Sequence, residues 1–229
     1  MKKIVLFSAY ALLIGIYSCK KDAKTPAEEP VADPPKVYAN YSNLKVGNYW
    51  IYERFDIDPS GNATSLHIID SCYVEKDTVI NGHICYKYSS PYGYPNVATT
   101  QYPNTFGYLR DSLSYIIEAT HGGILFASED FTTEFATSTY TLNPNDTVYT
   151  YKQKMGNKDM SYTTPAGTFI TSSMQDIYKM YPNYNSCTNN IRIIETRYAE
   201  NIGKISESFL FFSGNCNHSE RRLIRYHLN

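Results

Sequence analysis

The chain has 229 residues, 21 basic and 22 acidic side chains, and a formal net charge of −1. That balance, with no dense basic stretch, excludes the electrostatic footprint of a nucleic-acid-binding protein. Twenty-three tyrosines stand beside a single tryptophan, a composition that suits half-exposed sheet faces and points to strands.

Met1, Lys2 and Lys3 make a basic start, and Ile4–Ile16 is an apolar run broken by Ser8, Tyr10 and Gly15. The run is too short for a bilayer-spanning helix, which takes about 20 residues, and has the length and flanks of a signal-peptide core. It ends in Ile16-Tyr17-Ser18-Cys19, which resembles the lipobox of lipoprotein signal peptides. The resemblance makes residues 1–18 a lipoprotein signal peptide and Cys19 the lipidated N-terminus. Cys19-Lys20-Lys21-Asp22 is similar to the short charged signal that sends Bacteroidota lipoproteins to the outer surface, although a plain polar tether start explains the same residues. The expected location is the outer membrane, lipid-anchored, at the periplasmic face or the cell surface, with the surface favoured. Residues 19–37 read as an anchor and disordered tether, being charged, proline-bearing and poor in aliphatic bulk. Residues 20–36 in partly polyproline conformation reach roughly 50 Å. Residues 38–229 then form one β-rich domain.

Within that domain, short alternating segments are separated by turn chemistry. Asn48–Asp56 is the first strand, followed by the turn Asp58-Pro59-Ser60-Gly61. Leu66–Val74 alternates, and Asn81-Gly82, the strongest hairpin signal, joins Thr78–Ile80 to His83–Tyr88. Residues 89–104 read as a long tyrosine-bearing loop. Phe106–Arg110 and Leu113–Ala119 read as a hairpin turning at Asp111-Ser112. Gly122-Gly123 precedes Ile124–Ala127, and Asn143–Asp146 leads into Thr147–Met155. Gly156-Asn157 is expected to turn the chain back into Met160–Thr164, and Pro165-Ala166-Gly167 is a further turn. Phe169–Met180 is the one segment whose spacing allows a helix. Ile191–Ala199, Lys204–Phe212 and Arg222–Leu228 read as strands, and Arg221-Arg222 as a solvated strand edge.

Besides Cys19, four cysteines remain, and in an exported protein an even number implies disulfides. Closeness in sequence favours Cys72–Cys85 and Cys187–Cys216. Asp56, Asp58 and Ser60, with Gly61, match the first half of a calcium loop. His67 stands where the bidentate glutamate would be and strands flank the segment, so a hairpin turn is the preferred explanation. No paired histidine–cysteine cluster marks zinc, and there is no serine elbow, His-Glu-x-x-His or phosphate loop. No cofactor is implied, and an enzyme is not the expected reading. Tyr92, Tyr94 and Tyr102 in the long loop, with Tyr181 and Tyr184 before Cys187, make a candidate ligand platform. Thr78, Ser112 and Thr147 each follow an aspartate and precede an aliphatic residue, a pattern similar to the Bacteroidota O-glycosylation acceptor.

Gly47-Asn48-Tyr49-Trp50-Ile51-Tyr52-Glu53, Ile80-Asn81-Gly82, Tyr108-Leu109-Arg110, Thr164-Pro165-Ala166-Gly167-Thr168-Phe169 and Tyr198-Ala199-Glu200-Asn201-Ile202-Gly203-Lys204-Ile205 occur in this order. Together they resemble a large group of uncharacterised Bacteroidota lipoproteins. The resemblance implies an all-β, mainly antiparallel fold with at most one or two short helices. The sheet would be a single curved sheet or half-barrel of the lipoprotein-carrier type, with a β-sandwich as the alternative. It carries no catalytic residues. The expected activity is non-enzymatic binding of an apolar molecule or a glycan. The alternatives are an assembly role in a surface complex, or a hydrolase whose site no motif reveals.

Overall fold

A computed structural model describes residues 36–91, 104–209 and 216–229. Thirteen antiparallel strands form one sheet: β1 Tyr49–Ile57, β2 Ala63–Ile80, β3 His83–Pro91, β4 Asn104–Ser112, β5 Tyr115–Glu118, β6 Ile124–Ala127, β7 Glu134–Asn143, β8 Asp146–Met155, β9 Met160–Thr164, β10 Gly167–Met180, β11 Ile191–Ala199, β12 Gly203–Phe209 and β13 His218–His227. A 3-10 turn at Pro182–Tyr184 is the one helical element among the described residues.

The first and last strands pair at the middle of the sheet. The order runs β6-β5-β4-β3-β2-β1-β13-β12-β11-β10-β8-β7, with β9 on β10. Two meandering arms therefore leave a central β1–β13 pair, and they curl toward each other. Ile116, Phe126 and Ala127 at the end of one arm pack against Met155, Met174 and Tyr198 of the other. The Ala127 N–H points at Met155 Sδ, 3.3 Å away. The all-β expectation holds in its curved, half-barrel form and not as a sandwich. A second core cluster, with Trp50, Tyr52, Cys72, Val74, Ile205 and Leu223, lines the floor where β2, β1, β13 and β12 adjoin.

Local chemistry explains most elements. Asn81 and Gly82 both adopt positive φ (51° and 80°), as a two-residue hairpin turn requires. Asp58 closes its turn through Oδ1, which accepts the Ser60 and Asn62 N–H groups at 2.8 Å each. The segment before β1 straps the arms together. Ser42 Oγ donates to Asp111 at the end of β4 (2.5 Å), the Asn40 carbonyl accepts the Asn201 N–H from the β11–β12 turn (2.7 Å), and the Tyr41 ring lies 4.8 Å from Phe126.

Several expectations are corrected. Phe169–Met180 is strand, not helix: β10 pairs with β11 on one side and with β8 and β9 on the other. Thr78–Ile80 is not a separate strand but the end of the 18-residue β2. The β4–β5 turn lies at Leu113-Ser114, two residues later than expected. Gly156-Asn157 does not fold β9 back onto β8. The chain stays bonded to β10, with the Gly156 N–H on the Ser173 carbonyl, before β9 pairs with the first half of β10. β7, mostly exposed, has no alternating apolar pattern to mark it in the sequence. Arg221 is not at a solvated edge, because β13 lies between β1 and β12.

Candidate functional site

Side chains alternate across a strand, so register decides which residues share the inner surface. Trp50, Tyr52 and Arg54 of β1 point inward and are 0–1 % exposed. Arg54 stands opposite Arg221, which in turn stands opposite Glu207. Two arginines directly opposed on adjacent strands repel each other, and the surroundings compensate. Asp70 of β2 accepts a two-pronged pair from Arg54, with Nε at 2.7 Å and Nη2 at 3.0 Å. Its Oδ2 also lies 3.8 Å from Arg221 Nη1. Arg221 Nη2 donates to Glu207 Oε2, and Lys204 Nζ reaches the same oxygen at 3.1 Å. The Arg221 guanidinium lies 5.2 Å from the Tyr52 ring centroid and 5.4 Å from that of Phe209, within cation–π range.

Lys204, Glu207 and Arg221 form the charged floor of a pocket of about 260 Å³ between the arms, with the Arg54–Asp70 pair behind them. The walls are apolar, supplied by Leu44, Trp50, Leu109, Ile116, Leu125 and Phe209. The charged lining is Lys204, Glu207 and Arg221, with Ser42, Ser90 and Thr105 as hydroxyl-bearing neighbours. The indole of Trp50 is fixed by a 2.8 Å bond to the Ile202 carbonyl. Gly203, at φ +106°, leaves room for the indole, since a Cβ there would lie 3.2 Å from it. The two cations hold the Glu207 carboxyl at about 2, against an ordinary 4.5, in spite of burial. Burial drives the Tyr52 and Tyr88 phenols well above 10.0. The Tyr88 hydroxyl is buried beside the Cys72 thiol and makes no hydrogen bond of good geometry, and Arg221 Nε likewise has no acceptor among the described residues.

The residues singled out from sequence are scattered. Cys187 and Cys216 are bonded, with Cα atoms 5.6 Å apart. Cys72 and Cys85 are free and buried, so that expected disulfide is corrected. Register is the reason: Cys85 stands opposite Thr78, and Tyr73 opposite Ser89, so Cys72 lies beside Ser90 (Sγ to Oγ 3.3 Å). Five residues of strand, roughly 16 Å, separate Ser90 from Cys85. The oxygens of the calcium-like segment are engaged within the protein. Asp58 closes its own turn, and Asp56 Oδ2 accepts from Asn217 (2.8 Å); Ser60 lies on the exposed turn.

Tyr184 donates to Asp146 at 2.5 Å, and Tyr181 is 41 % exposed at the start of the 3-10 turn. Tyr92, Tyr94, Tyr102 and Cys19 lie outside the described residues. Thr78, Ser112 and Thr147 are half-buried on β2, β4 and β8. The tyrosines that do assemble are different ones. Tyr140, Tyr149, Tyr178 and Tyr151 form a ladder across β7, β8 and β10, with consecutive ring centroids 5.0–5.4 Å apart. Tyr151 donates to Asp176 at 2.8 Å.

The pocket residues Trp50, Lys204, Glu207 and Arg221, and the Arg54–Asp70 pair behind them, are not among the candidates that motifs in the sequence mark. The available signal was phase. Arg54 continues the Trp50-Tyr52 alternation and Asp70 sits between Ile68 and Cys72, so charge falls where an inward residue belongs.

No family model and no curated protein matches the chain. Two solved structures are similar. One is a candidate lipoprotein from Parabacteroides distasonis, at 14% identity and TM-score 0.44, covering 84% of this chain and 100% of that one. The other is a candidate exported protein with a YmcC-like fold from Bacteroides fragilis, at 13% identity and TM-score 0.46, covering 82% of this chain and 99% of that one.

Proposed function

We propose that this chain is a lipid-anchored envelope protein whose β domain binds an apolar or amphiphilic small molecule, without catalysis, in the pocket between its two arms. The carrying observation is the pocket's composition. Aliphatic and aromatic walls from both arms line about 260 Å³, and the charged groups in that lining are Lys204, Glu207 and Arg221. Ligand sites are built in this way, with apolar surface for affinity and few polar groups for orientation. The volume lies just below the usual range of about 300–1,000 Å³, which suits a slender chain better than a fused ring system. The anchor and envelope location rest on the signal-peptide and lipobox pattern ending at Cys19. A glycan platform has less support from the candidate tyrosines, since the Tyr184 hydroxyl is tied to Asp146.

Trp50 is the chain's single tryptophan and lines the pocket, so its fluorescence reports occupancy. Acyl chains brominated along the tail should quench it saturably. Affinity should rise about fourfold per added methylene, from about 0.8 kcal/mol each, and level off once the pocket is filled. Quenching that is absent, or linear and insensitive to chain length, would remove the support for this reading.

A further inference from the structure

The pocket floor has more donors than acceptors. The charged groups lining it are Lys204, Arg221 and Glu207, which sum to +1. Arg54 and Asp70 behind them form a neutral pair. Glu207 is the one carboxylate in the lining and already accepts from both cations. Two buried donors remain unused among the described residues: Arg221 Nε, on a residue 3% exposed, and the Tyr88 hydroxyl. Burying a donor without an acceptor costs about 1–3 kcal/mol, and an uncompensated cation in a low-dielectric interior costs more. A ligand bringing one negative oxygen centre to Lys204 and Arg221 balances the charge of the lining.

Resting on the binding reading above, we infer that the ligand is an acidic amphiphile: an unbranched apolar chain against Leu109, Ile116 and Leu125, with a carboxylate held by Lys204 and Arg221. A single carboxylate fits the +1 lining better than a phosphate monoester, which carries about −1.5 to −2 at neutral pH. Asp111, which accepts from the lining residue Ser42 (2.5 Å), and Asp176 on β10 both lie outside the pocket lining.

The test compares decanoate, decanol and decylammonium, which share one tail. Each is titrated at pH 7 against the mature chain carrying Cys19→Ser, so that no lipid is attached, with Trp50 fluorescence as the readout. Decanoate is expected to bind at least about tenfold tighter than decanol, the worth of one charge-assisted contact, and decylammonium weakest. Lys204→Gln should remove most of the preference for decanoate over decanol. Lys204 is suited to the test because its side chain keeps 18% of its surface exposed, so its removal spares the buried Arg54–Asp70 pair. Arg221→Met should do the same where it folds, which the urea midpoint reports. Equal binding of all three, or preference for decylammonium, overturns the acidic head and leaves the apolar pocket standing. Failure of all three to bind overturns both.

Discussion

Glu207→Gln isolates the electrostatics of the pocket floor. The variant keeps the side chain's shape and one acceptor, and so imitates the protonated carboxyl. In the folded protein Arg221 and Lys204 hold Glu207 at about 2, against 4.5 ordinarily. A depressed carboxyl stabilises the fold at every pH above its unfolded value, and that contribution is lost as pH falls through the folded value. The difference corresponds to roughly 3 kcal/mol. The side chain keeps 21% of its surface exposed toward the pocket, so solvent screening makes that figure an upper value. Urea unfolding followed by Trp50 fluorescence should show wild type more stable than Glu207→Gln by about 2–3 kcal/mol at pH 7. The gap should hold down to about pH 5 and close steadily toward pH 2. A gap below about 1 kcal/mol at pH 7, or one independent of pH, would refute the claim that the two cations hold this carboxylate.

Three further outcomes follow from geometry. Gly203→Ala places a Cβ at positive φ and 3.2 Å from the Trp50 indole, and should cost roughly 2–4 kcal/mol with a shift in indole emission. Gly61→Ala is the control, also at positive φ (+86°) but with nothing within 4 Å, and should cost only about 1–2 kcal/mol. Replacing Cys187 and Cys216, 29 residues apart, with serine should lower stability by about 3 kcal/mol in denaturant melts. Cys72 and Cys85, buried and free, should be silent to a thiol reagent in the native state and react on unfolding, and peptide mapping should find no bond between them.

Legibility in the sequence followed the clarity of alternation. β6, β9 and β11 stand at the expected residues, and β1 and β8 within one residue of them, because their apolar residues recur every second position or their flanking turns are explicit. β10 resembles a helix in sequence because Ile170, Met174, Ile177 and Tyr178 recur at helical spacing. Its inner face, Met174-Asp176-Tyr178-Met180, carries a half-buried acid that hides the period of two. β7 is an edge strand whose residues from Ser138 to Asn143 are all exposed, so no core demand shaped an apolar pattern there. The same effect concealed the site. Arg54, Asp70, Glu207 and Arg221 are inward residues in strand phase, and charge at an inward position reads as solvent-facing until register places its partner on a strand far away in sequence. Arg221 and Asp70 are 151 residues apart in the chain, and only the pairing of the first strand with the last brings them together. The disulfide at Cys187–Cys216 was legible from spacing, whereas Cys72 and Cys85 needed the β2–β3 register.

Native mass spectrometry of residues 36–229, produced in an oxidising compartment and purified without detergent, tests the binding claim most directly. The account predicts a mass excess that disappears on denaturation and is identified in the released fraction as an unbranched acyl acid. A domain that is bare under these conditions, and stays bare after incubation with such acids, would contradict it.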